Sequence, residues 1–144
     1  MIRRILVALD GSHRAASVLV EALDIAERFQ ARLVLLRVVH VPQDFPAAAH
    51  VDAADPLPAA MHAEALHQLE ELVSKHPRAG TAKLEVRTGQ AWRVIVDVAS
   101  ELDVDLVVIG SHGFSGWDHL LGTTAERVVN HASRNVLVVR SAAP

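Results

Sequence analysis

Between an apolar run at residues 106–109 and a helical pattern near residue 123 lies a stretch of glycines and hydroxyls. Gly110, Ser111, His112 and Gly113 open it, Gly116 follows, and Gly122, Thr123 and Thr124 close it. The chemistry such residues offer is anion binding. Glycine lets the main chain approach an anion closely and adopt positive φ. A helix start presents unpaired N–H groups and about half a positive charge. A phosphorylated nucleotide is the ligand this arrangement suits. A second polar break, Asp10-Gly11-Ser12, ends the apolar run of residues 2–9.

The familiar phosphate motifs are missing. The chain has no GxxxxGK[ST] loop, and the first apolar run leads into DGSHRA rather than GxGxxG. Fast phosphoryl transfer also calls for a cation on the γ-phosphate and acids for Mg²⁺. The glycine stretch brings Ser111, His112, Thr123 and Thr124 but no lysine, which favours binding over transfer. Gly113-Phe-Ser-Gly116 does not make the GxSxG elbow of hydrolases. His62 and His67 are five apart, which does not place them on one helical face, so no metal pair is expected there. His50, His62, His67 and His76 read as solvated. Trp92 and Trp117 read as packing residues.

The elements that must position these residues alternate in period. Residues 2–9 and 33–39 are nearly unbroken apolar runs, as in strands covered on both faces. Only Arg37 interrupts the second, and an ion pair at the sheet's edge or end is expected for it. Ser12 suits a helix N-cap; Ala15, Ala16, Leu19, Ala22, Leu23 and Ala26 then recur at helical spacing. Residues 41–58, with Pro42, Pro46, Pro56 and Pro58, read as a long loop. A helix with Met61, Ala65, Leu69, Leu72 and Val73 inward should end near His76, since Pro77 disfavours helix before it. Ala82, Leu84 and Val86 alternate with charges, which marks a half-exposed edge strand. A third helix runs from Ala91 to about Leu102. Strand 106–109, helix 123–132 and strand 136–140 complete the chain.

This β-α-β-α-β-α-β-α-β order implies an α/β fold: a three-layer, open, parallel five-stranded sheet with helices on both faces, Rossmann-like, forming a single domain over residues 1–144. With strand order 3-2-1-4-5 the reversal falls between strands 1 and 4, and ligands of such sheets sit beyond the carboxyl ends at that reversal. Those two ends carry Asp10-Gly11-Ser12 and Gly110-Ser111-His112-Gly113.

The totals narrow the partners. A net charge of −3 with no basic cluster argues against nucleic acid. Aromatic residues at 3% leave few platforms for stacking bases. No apolar run approaches the ~20 residues of a membrane span. The absence of cysteine excludes disulfides and thiolate metal sites, and fits a cytoplasmic location.

At these residues the chain resembles the universal stress protein family, specifically its ATP-binding branch. Gly110-Ser-His-Gly113 followed by Gly122-Thr123 matches that branch's Gly-x2-Gly…Gly-Ser/Thr pattern. Eight residues separate Gly113 from Gly122 where the branch usually has nine. ILVALDGS, LVLLRVVHV, DLVVIGSHG and AERVVNHASRNVLVVR extend the resemblance over essentially the whole chain. The resemblance implies ATP or another adenine nucleotide as ligand, with Mg or Mn as a possible companion. Ala8, Leu9 and Asp10 would line the adenine and ribose end, and Val38 would meet adenine through its backbone. Ile109, Gly110, Ser111, His112 and Gly113 would follow ribose and phosphates. Gly122, Thr123 and Thr124 would cradle phosphates. Asp10 would accept a ribose hydroxyl or help to hold a divalent ion. The family usually dimerises through its last strand, here residues 136–140, with Val136 and Arg140 at the ends. The function implied is a nucleotide-dependent dimeric switch in the stress response. The alternatives are a dimeric interaction module without nucleotide and a slow ATP hydrolase.

Overall fold

The structure is a computed structural model that describes residues 1–40, 56–111 and 123–140. Five strands form one parallel sheet: β1 Arg4–Leu9, β2 Arg32–Val39, β3 Lys83–Thr88, β4 Leu106–Gly110 and β5 Asn135–Val139. Their order is β3-β2-β1-β4-β5, the order read from the sequence, with reversal between β1 and β4. Four α-helices alternate with them: α1 Ala15–Phe29, α2 Pro56–Lys75, α3 Ala91–Glu101 and α4 Thr123–His131.

Unbroken apolar strands follow from burial on both faces. Along β1, Ile5 and Val7 join one core with α1 and α2 residues such as Leu19, Leu23 and Leu69. Leu6, between them, joins a second core with Ile95 and Val98 of α3 and Val128 of α4. β2 divides likewise, with Leu35 in the first core and Leu36 in the second. β3 lies at an edge and its pattern is half-buried throughout, as its alternation implies. Its charged row is ionic: Lys83 and Arg87 both pair with Glu85, and Arg87 reaches Glu101 of α3 at 3.0 Å.

The foot of the sheet is fastened by Asp105. Its carboxylate accepts the backbone N–H of Arg3 at 2.8 Å and of Arg4 at 3.0 Å, while its own N–H donates to the Arg4 carbonyl at 2.9 Å. This sets β1 against β4 in register Ile5 with Leu106 and Ala8 with Ile109.

Two local expectations change. Ser12 is not the N-cap of α1, which begins three residues later. The Ser12 hydroxyl instead accepts the N–H of Arg14 at 3.2 Å, and its carbonyl takes the N–H of Ala15. It shapes a turn ahead of the helix. The second change concerns residues 56–58, which composition assigns to a loop but which belong to α2. A helix's first turn has no use for its N–H groups, so proline is tolerated there. The rest of the expected loop, residues 41–55, lies outside the described residues.

Candidate functional site

β1 and β4 are neighbours whose following helices lie on opposite faces, and ligands of such sheets sit in the crevice beyond the carboxyl ends at that reversal. Ala8 and Ile109 are register partners there. Both pack toward the α3/α4 core, and Val38 of β2 packs toward it as well. The structure therefore gathers Ala8, Val38 and Ile109 on one face of three adjacent strands. Leu9 turns the other way, into the α1/α2 core, and is 5% exposed. Only its backbone faces the crevice.

Asp10 closes the end of β1. Its Oδ1 accepts the N–H of Ser12 at 2.9 Å and the hydroxyl of Ser12 at 2.6 Å. The carboxylate thus forms the turn in the manner of Asx residues. It fixes the β1–α1 loop, and Oδ2 makes no hydrogen bond within the described chain.

Gly110 and Ser111 follow Ile109. A Cβ at Gly110 would lie 3.1 Å from Cγ2 of Val18, so this glycine lets α1 pack against the end of β4. Ser111 is 2% exposed. Its N–H donates to the Val139 carbonyl at 2.9 Å, and its buried hydroxyl oxygen has no hydrogen-bond partner among the described residues. A buried hydroxyl left without a partner costs about 1–3 kcal/mol, so a polar group arriving beside Ser111 recovers that loss. This unmet demand fits a sugar or phosphate ligand. α4 starts at Thr123 and Thr124, the first exposed and the second half-buried, at the mouth of the last crossover. His112, Gly113 and Gly122 lie outside the described residues, as do Trp117 and His50.

Gly89 was not singled out in the sequence. It precedes α3 at φ 149° and donates its N–H to the Val39 carbonyl at 3.0 Å, bringing the β3–α3 turn to the end of β2. A lone glycine ahead of a helical pattern was its only signal. Trp92 packs between α3 and α4, its ring 4.6 Å from that of His131 and within 5.3 Å of the Arg93 guanidinium. It serves as packing, as expected. Among the described residues no group of His, Asp and Glu is arranged to hold a metal ion, and no helix is long and apolar enough to cross a membrane.

Sheet order, two helical layers and a crevice at the strand reversal define an open, doubly wound α/β protein of Rossmann-like type. Within that class the chain belongs to the universal stress protein family, whose model matches residues 1–140. It is 30% identical over 141 residues to universal stress protein A homolog 1 of Coxiella burnetii, covering 95% of each chain. Among solved structures, UspA from Lactobacillus plantarum superposes with a TM-score of 0.79 at 33% identity, covering 96% of this chain and 98% of that one. A universal stress protein in complex with cAMP superposes with a TM-score of 0.60 at 25% identity, covering 96% and 97%. The family places the protein in the stress response.

Proposed function

We propose that the crevice beyond β1, β2 and β4 binds an adenine nucleotide, ATP foremost, and that the protein acts in the cytoplasm as a nucleotide-dependent dimeric switch. The observation that carries this reading is the buried hydroxyl of Ser111, without a hydrogen-bond partner among the described residues, two positions beyond Ile109 at the end of β4. In this reading the purine lies against the apolar ends of β1, β2 and β4 that carry Ala8, Val38 and Ile109, and Ser111 offers a polar contact where the sugar-phosphate would begin. Support also comes from the related protein crystallised with cAMP, itself an adenine nucleotide.

In this reading the backbone of Val38 and Leu9 meets the base, and Asp10 receives a ribose hydroxyl or helps to hold Mg or Mn on the phosphates. Gly110, Ser111, His112 and Gly113 follow the ribose and first phosphate. Gly122, Thr123 and Thr124 cradle the remaining phosphates at the α4 N-terminus, where each amide contact is worth ~0.3–1 kcal/mol. Residues 1–144 act as one nucleotide-binding domain.

Calorimetric titration with ATP, AMP and cAMP, with and without Mg²⁺, tests it. Saturable heat is expected, and at a hundredfold excess over Kd the nucleotide stabilises the fold by about 2.7 kcal/mol. Gly113→Val should abolish both effects. Neither heat nor thermal shift at millimolar nucleotide would overturn the reading in favour of an interaction module. That second reading rests on the unpaired outer side of β5, where Leu137 is 36% exposed.

A further inference from the structure

Arg37 lies toward the carboxyl end of the sheet, as expected, in register with Leu9, the last residue of β1. It sits on β2, between β1 and β3, and no carboxylate among the described residues lies within ion-pair distance of it. Its Nη1 donates to the Val38 carbonyl at 3.2 Å, whereas its buried Nε has no partner among the described residues. Across from it, Gln68 of α2 gives its amide hydrogen to Glu64 at 3.3 Å, which leaves a buried Oε1 without a donor. Both side chains line a cavity of about 340 Å³ between the β1–α1 turn and α2.

A buried guanidinium N–H without an acceptor is expensive, and so is a buried amide oxygen without a donor. Neither acid that lines the cavity pairs with Arg37 among the described residues. Asp10 is held by Ser12, and Glu71 pairs with Lys75 at 3.2 Å. Gly11 makes the room: a Cβ there would come within 2.9 Å of Arg37 Nη2 and 3.4 Å of Gln68 Oε1. One orphan wants negative oxygen and the other wants hydrogen.

We propose that this cavity binds a phosphate oxyanion that carries an O–H, either free or borne on a small polyol. Its charged oxygens accept from Arg37, and its hydroxyl donates to Gln68 Oε1. The site lies on the α1/α2 side of the sheet, whereas Ala8, Val38 and Ile109 face α3 and α4. It adjoins the proposed nucleotide site, sharing Leu9 and Asp10 at the end of β1, but holds its ligand through Arg37 and Gln68, which that reading does not use.

The test is a titration of the full chain, run without nucleotide and again with ATP, followed through arginine side-chain N–H resonances, with Arg37→Met identifying the Arg37 signal. Inorganic phosphate, glycerol 3-phosphate and sulfate are added at constant ionic strength. The Arg37 resonance should move saturably with a phosphate species. Tighter binding of the ion identifies free phosphate, and tighter binding of the ester identifies a carried one. Sulfate brings no hydrogen for Gln68 and should bind about tenfold more weakly, the worth of one hydrogen bond. In melts, Arg37→Met should stay folded and lose the phosphate-dependent rise in Tm. An unmoved Arg37 resonance, sulfate binding equal to phosphate, or an unchanged rise in Arg37→Met would each overturn the proposal.

Discussion

Single side chains decide where this fold is fastened and where it is left open. Asp105 fastens the foot of the sheet. The backbone N–H of Arg3 and then that of Arg4 hold its carboxyl below the ordinary 3.8. A carboxyl whose pKa is lower folded than unfolded stabilises fully above the unfolded value, and that stabilisation is lost as pH falls through the folded value. Asp105→Asn should therefore lower Tm at neutral pH, and the gap from the parent should close in acid, below the ordinary value. Melting curves of both proteins from pH 7 downward check this; a constant gap would contradict it. Residue roles were unevenly legible. Asp10 and Ser111 stand out in the sequence because they break apolar strands. The partners of Arg37 do not, because Gly11 and Gln68 are far from it in the chain and meet it only after folding.

At the scale of elements, the sequence speaks through period. β2 is apolar at successive positions because each face meets a different helical layer. Leu35 and Leu36 are both fully buried, on opposite sides. Leu35→Ala and Leu36→Ala should each cost about 2–5 kcal/mol, measured by denaturant unfolding. A strand with one solvated face would lose stability at only one of the two. α3 and β3 appear close to their expected bounds because Gln90 and Pro77 sit near strong periodic signals. The start of α2 was not legible, since proline-rich composition reads alike in a loop and in a helix's first turn. The turn before α1 was hidden for a related reason: Ser12 suits an N-cap and a preceding turn equally well.

For the whole molecule, strand order followed from alternation and right-handed crossovers, and with it the reversal between β1 and β4. What alternation does not specify is how a second copy meets the first. β5 offers that surface, with Leu137 exposed on a strand bonded to β4 alone. If the dimer forms there, Leu137→Lys should convert it to monomer, because an edge lysine opposes strand pairing. Light scattering after gel filtration should show the mass halve. An unchanged mass would place the contact elsewhere.

The two borders of the sheet differ in kind. β3 carries Lys83, Glu85 and Arg87, bound into ion pairs, whereas β5 carries Val136, Leu137 and Val138. If copies of the chain join through β5, the ion-paired rim at β3 offers no matching apolar border, so growth by strand addition would close after a single step and filaments would have nothing to grow from.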